Sequence, residues 1–224
     1  MPPSPAADVP RWSDVAVVCA HPDDESFGLG AIISYLVDAG VQLRIVSLTR
    51  GEGSTLGADE DLVVHRPQEL RAAAAALGVH EVTVRDHPDG ALEEVPIGQL
   101  VADVVAAVNG AEALLTFDHG GITGHPDHQR ATDVAIAAGT QLDIPVFGWA
   151  LPEEVAAGLR AEFGGAFVGR EPEHLDHRIE VDRSRQHLAI ACHASQDNPV
   201  PRRRIELQGP SEHLRALHLP GSQP

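Results

Sequence analysis

The chain has 224 residues, ample for one α/β domain with a sizeable core. Apolar residues make up 43% and aromatics only 4%, while 16 Lys+Arg against 33 Asp+Glu give a formal charge of -17. That field repels nucleic acid and anionic lipid, no apolar run approaches the roughly 20 residues of a membrane span, and Cys19 and Cys192 make no disulfide framework.

Residues 1–13 read as a disordered leader without the basic and apolar regions of a signal peptide, so the expected location is cytoplasmic. Strands and helices then alternate. Strands are predicted at 15–20, 41–49, 81–86, 112–118 and 145–151. Helices are predicted at 29–40, 66–78 (beginning near Pro67), 97–109 and 127–139. This rhythm predicts an α/β fold with a doubly wound, mostly parallel sheet. Beyond 155, "AFVG" (166–169) and "HRIEVD" (177–182) read as a short antiparallel C-terminal edge, and 183–194 reads as a helix. One domain over 14–196 is expected, with 197–224 as a Pro- and Arg-rich tail wrapped loosely on it.

The triplet HPD occurs at 21–23, 87–89 and 125–127, each time after the C-terminal end of a predicted strand. Open parallel sheets bind ligands at that edge. The first copy continues into Asp24 and Glu25, so three carboxylates crowd one strand mouth, and a divalent cation would neutralise them. Pro22 keeps His21 extended, and Asp24 follows three residues later. His128 can supply a third, distant ligand. Two histidines and one carboxylate make a catalytic zinc set with an open position, although iron or cobalt also suits it. Asp23 is then left beside the metal as a base for water, and His125 lies across the site as electrophile and general acid, oriented by Asp127. Glu25 reads as a structural first-turn carboxylate. A single HPDD or HPDH is equally a helix N-cap with an acidic first turn. A dinucleotide site is excluded by the missing G-x-G-x-x-G and the three anions.

"AHPDDE" (20–25) and "GHPDH" (124–128), with "TRGEGS" (49–54), "RPQELRAAAAALGV" (66–79), "DHPDGAL" (86–92) and "AIACHASQ" (189–196), resemble the PIG-L/LmbE-like de-N-acetylases. The resemblance covers residues 15–196. It implies a Rossmann-like fold and one zinc per chain on His21, Asp24 and His128. It further implies Asp23 as base, His125 as the residue that stabilises and protonates the intermediate, and Arg50 and Asp89 as holders of sugar hydroxyls. The implied activity is removal of an N-acetyl group from an N-acetylglucosaminyl-type conjugate. Its rivals are amide cleavage of a thiol-conjugate and a non-catalytic metal- or sugar-binding module. The implied partner is a small amino-sugar substrate, with no nucleic acid and no membrane; a homo-oligomer stays open. One position departs from the pattern. Thr123 stands where mycothiol-pathway relatives carry a mobile tyrosine, with His119 as a nearby substitute, and the chain's single tyrosine is Tyr35.

Overall fold

In the computed structural model, which describes residues 10–56 and 61–221, five strands run parallel. They are β1 (Asp14–Cys19), β2 (Gln42–Thr49), β3 (Glu81–His87), β4 (Ala113–Phe117) and β5 (Val146–Trp149). β1 shows why the central strands read as near-continuous apolar runs. Val15, Val17 and Cys19 belong to one core and Ala16, Val18 and Ala20 to the other, so both faces are buried. The first core is closed by α2 (Gly30–Asp38) and α3 (Leu62–Leu77), which follow the short α1 (Asp24–Phe27). The second is closed by α4 (Ile97–Ala107) and by α6 (Pro126–Leu142), which follows the short α5 (Gly121–Gly124).

The strand order β3-β2-β1-β4-β5 reverses direction between β1 and β4. The loops after these two strands therefore diverge and leave a crevice between them. The first and last HPD triplets occupy those two loops, and the middle one follows β3. Strand order brings the first and last together; the middle one, two strands from β1, reaches them through its loop, where Gly90 N–H meets Asp127 Oδ2 at 2.7 Å.

Three expectations need correction. The helix expected from Pro67 begins at Leu62, so Pro67 lies inside α3. Proline removes one backbone donor there, on a stretch where Val63 and Val64 are exposed and water can meet the freed carbonyl. "AFVG" does not join the antiparallel edge. Its Gly169 begins β7 (Gly169–Arg170), which pairs in parallel with β6 (Leu151–Pro152) in a separate sheet at the ends of α7 (Glu153–Phe163).

The stretch from 197 is the third. After β8 (His177–Glu180) and α8 (Ser184–Cys192) it forms α9 (Pro199–Gln208) and β9 (Ser211–His218). β9 lies antiparallel between β5 and β8 within the main sheet. What holds it is a buried charge cluster. Glu212 pairs with Arg183 and, at 2.8 Å, with Arg204, and accepts Trp149 Nε1–H at 2.6 Å. Of the expected leader, Trp12 stacks on Phe147 at 5.1 Å and Ser13 bonds Glu112, while residues 1–9 lie outside the described ones.

Candidate active site

The β1 end delivers His21, Asp23 and Asp24, and the start of α6 delivers His125, Asp127 and His128. Asp24 Oδ2 accepts the backbone N–H groups of Ala20 (3.0 Å) and His21 (2.9 Å), which leaves Oδ1 for the crevice, 3.1 Å from His128 Nε2. His21 Nδ1 stands 3.1 Å from the same nitrogen and 3.9 Å from Asp24 Oδ2. Ligands at zinc distances in a tetrahedron stand about 3.3 Å apart; the two 3.1 Å separations from His128 Nε2 match that spacing, while the 3.9 Å one runs to the Asp24 oxygen that the backbone already holds.

The outer nitrogens agree with that fit. His21 Nε2 donates to Asp89 Oδ1 (3.0 Å) and Asp127 Oδ2 (3.2 Å), and His128 Nδ1 donates to the Gly121 carbonyl (3.0 Å). Metal-ligating histidines are oriented in this manner, with the second N–H spent on a carboxylate or carbonyl. Among the described residues, two groups have donor atoms that all lie within 4.8 Å of one another: His21 with His125 and His128, and His21 with Asp89 and Asp127. In each group one member is already engaged: Asp127 accepts the N–H groups of Gly90 and Leu92, and His125 Nδ1 is held at the start of α6.

Charge in the crevice tells the same story. Burial opposes protonation of His21, yet hydrogen bonds to Asp127 and Asp89 and the charges of Asp24 and Asp23 carry its pKa to about 10. The site demands positive charge. Burial also resists ionisation of Asp24, but His128 and His21 hold its carboxyl far below the usual range. Asp23 differs from its neighbour. Burial raises it to about 6, with Asp24 adding to the rise and Arg66 opposing it. Its φ of 151° is a conformation that L-residues rarely adopt, and it turns the side chain away from the Asp24 donors to Arg66 Nη2, 3.0 Å away. Glu25, expected as a structural first-turn carboxylate, is fully buried and accepts both the Asp23 N–H (3.0 Å) and His193 Nε2–H (2.8 Å).

His125 caps α6. Its Nδ1 accepts the Asp127 backbone N–H at 3.2 Å, so in the neutral ring the proton sits on Nε2. Burial and the cationic His128 and His21 keep its pKa below the ordinary value. Asp127 thus orients His125 through its backbone, while its carboxylate serves His21.

His21, Asp23, Asp24, His125 and His128 line a cavity of about 430 Å³. Asp89, from the middle triplet, reaches it and accepts Gly53 N–H at 2.7 Å. Arg50 is exposed and is not among the lining residues. The arginine on that wall is Arg66 of α3, buried, donating to the carbonyls of Gly51 (2.6 Å) and Pro22 (2.9 Å). The sequence signal for Arg66 was its place one residue before Pro67, on a helix face the shorter predicted helix left at its end. Thr123 lines the cavity, His119 is exposed outside it, and His87 is occupied by Asp103 at 2.9 Å. No helix among the described residues is long and apolar enough to cross a membrane.

A family model described as GlcNAc-PI de-N-acetylase matches residues 16–139, more than half of the chain and all six donor-bearing positions from His21 to His128. A 1D-myo-inositol 2-acetamido-2-deoxy-alpha-D-glucopyranoside deacetylase of Mycobacterium sp. (strain KMS) is 31% identical over 204 residues, which are 78% of this chain and 63% of that protein. The match to a second such deacetylase, from Kineococcus radiotolerans, spans only 45% of its length. Among solved structures, the N,N'-diacetylchitobiose deacetylase of Pyrococcus horikoshii superposes with a TM-score of 0.66 at 21% identity, over 92% of this chain and 84% of that one. A 4-carboxy-2-hydroxymuconate hydratase of Pseudomonas putida superposes equally well, with a TM-score of 0.69 at 19% identity over 95% and 99%. One fold therefore carries both chemistries.

Proposed function

The chain belongs to the GlcNAc-PI de-N-acetylase (PIG-L) family, and from that premise we propose that it is a metal-dependent hydrolase removing an N-acyl group from an amino-sugar conjugate. The observation that carries this reading is the contrast between adjacent aspartates. Asp24 faces the histidine donors, while Asp23 is held apart, beside Arg66, with a pKa of about 6. A binding module has no use for such a spare base.

A zinc ion held by His21, Asp24 and His128 would supply Lewis acidity and an acidified water at neutral pH. Asp23 takes the proton from the attacking water; its pKa near working pH suits a general base. His125 Nε2–H donates to the carbonyl oxygen as negative charge builds there. The departing amine needs a proton. Asp23 holds one from the water; His125 can give one only after Nδ1 gains a proton and releases the Asp127 N–H. Arg66 and Asp89 form the polar wall that meets the sugar hydroxyls, the role the sequence reading gave to Arg50 and Asp89. N-Acetylglucosaminyl conjugates are the substrate class to which the curated relatives point.

The test is metal analysis of the purified protein followed by an assay for free amine across N-acylated amino sugars. Bound metal with amine release supports the hydrolase. Bound metal with no amine from any sugar leaves the binding module, or chemistry akin to the hydratase that shares the fold.

A further inference from the structure

The cavity has two unlike walls. Asp89, Arg66, Gly53, Gln196 and Asn198 line one side. Phe117, Trp149, Leu151, Leu159, Phe167 and Val200 supply an apolar lobe, at whose edge the Arg204 guanidinium lies 5.0 Å over the Trp149 ring. The lobe opens directly beside the donor set, because the Phe117 ring meets the His128 ring edge-on with centroids 4.9 Å apart. Trp149 lies 5.4 Å from Phe117, and its one polar atom is spent on Glu212, so only its ring is left for the cavity. Gly28 sits against both rings; a Cβ there would come within 2.5 Å of Phe117.

Resting on the hydrolase reading above, we infer that the acyl group this protein removes best is larger than acetyl, an apolar chain or aryl-terminated acyl seated in this lobe. The carbonyl must lie at the donor set. With the sugar nitrogen toward Arg66 and Asp89, the acyl carbon points past His128 to Phe117 and Trp149. An acetyl methyl fills only the mouth of a lobe walled by six apolar side chains, and a longer chain replaces water held against them. Five of those six residues lie beyond the region the family model matches, whereas the donors, Asp23, Arg66 and Asp89 lie inside it. The chemistry is the family's, and the acyl lobe is built by the remainder of this chain.

The experiment uses the zinc-reconstituted full chain and glucosamine N-acylated with acetyl, butyryl, hexanoyl and octanoyl groups, reading kcat/KM from free amine. A parallel series lengthens an alkyl aglycone on N-acetylglucosamine. The expected result is a rise of up to about fourfold per methylene until the lobe is full, with a flat aglycone series. Val200→Trp, which narrows the lobe, should move the optimum to shorter chains. Acetyl remaining the best substrate while amine is released overturns the inference and spares the hydrolase. A gain confined to the aglycone series also overturns it, since the lobe then holds the other end of the substrate. No amine from any member fails the hydrolase reading itself.

Discussion

Glu25 and His193 stand 168 residues apart in sequence, yet Oε1 of one lies 2.8 Å from Nε2 of the other, and both side chains are fully enclosed. The other oxygen of Glu25 accepts the N–H of Asp23. The pair thus ties α8 to the one residue whose backbone stands at φ 151°, a strained state that needs surrounding bonds to persist.

Breaking the pair should loosen Asp23 without touching the metal donors. His193→Ala is expected to leave the metal content of the purified protein unchanged and lower kcat by about tenfold or more, as small misplacements of a catalytic group do. It should also lose about 1–3 kcal/mol of stability from the stranded buried carboxylate. His193→Gln, which keeps a donor, should recover much of the rate. A drop in melting temperature with kcat untouched would mean that the pair only supports the fold.

The arginines separate by position. Arg66 offers its planar fork to two carbonyls and Asp23 at once, a geometry that lysine cannot reproduce. Arg66→Lys should raise KM and reduce kcat, together about 10²-fold in kcat/KM, whereas Arg50→Ala should leave both within error. Steady-state kinetics on one sugar substrate decides it. A large KM effect from Arg50→Ala would show that the 50–56 loop closes on the substrate.

How far these features were legible follows from range. The central parallel strands announce themselves locally, since Val15 to Cys19 of β1 are apolar and buried on both faces. HPD at three strand ends was enough to bring His21, Asp24 and His128 within reach, because strand order alone does the rest. Arg50 came from the family resemblance and lies exposed outside the cavity lining, while Arg66 reaches the cavity from a helix packed over it. The C-terminal strand was missed for a related reason. Arg202 to Arg204 and the flanking prolines read as solvated tail. Arg204 is buried only because Glu212 and Trp149 wait for it, a fact that no local window contains. His193 was read only as part of a motif, since its partner is 168 residues away.

Asp23 and Asp24 should fail differently. Asp24→Ala and His128→Ala remove donors, so metal content should fall below one ion per chain and activity should partly return with added zinc. Asp23→Ala and His125→Ala should retain metal and lose about 10²–10⁴-fold in kcat, the usual range for an acid or base, with little change in KM. Chelation should abolish activity in the unaltered protein and zinc should restore it. Equal metal loss in both aspartate variants would undo the division of roles.

The last expectation concerns Glu212 and the pH of unfolding. Burial pushes its carboxyl up, but the charges of Arg204 and Arg183 and hydrogen bonds from Trp149 and Arg183 outweigh burial and hold the pKa below the ordinary 4.5. The unfolded chain therefore takes up the proton first as pH falls. The stabilisation from this group is complete above about 4.5 and is lost progressively as pH drops below it toward the folded value. Glu212→Gln leaves two buried guanidinium groups without a counter-charge, a change that costs about 3–5 kcal/mol, or about 10 °C in melting temperature for a chain of this size. Thermal melts at pH 7.5 and pH 3.5 should show a large gap between the unaltered protein and the variant at the first and a smaller gap at the second. A gap that stayed constant across the two pH values would assign the acid sensitivity to other carboxylates, and no gap at all would show the cluster to be replaceable by neutral packing.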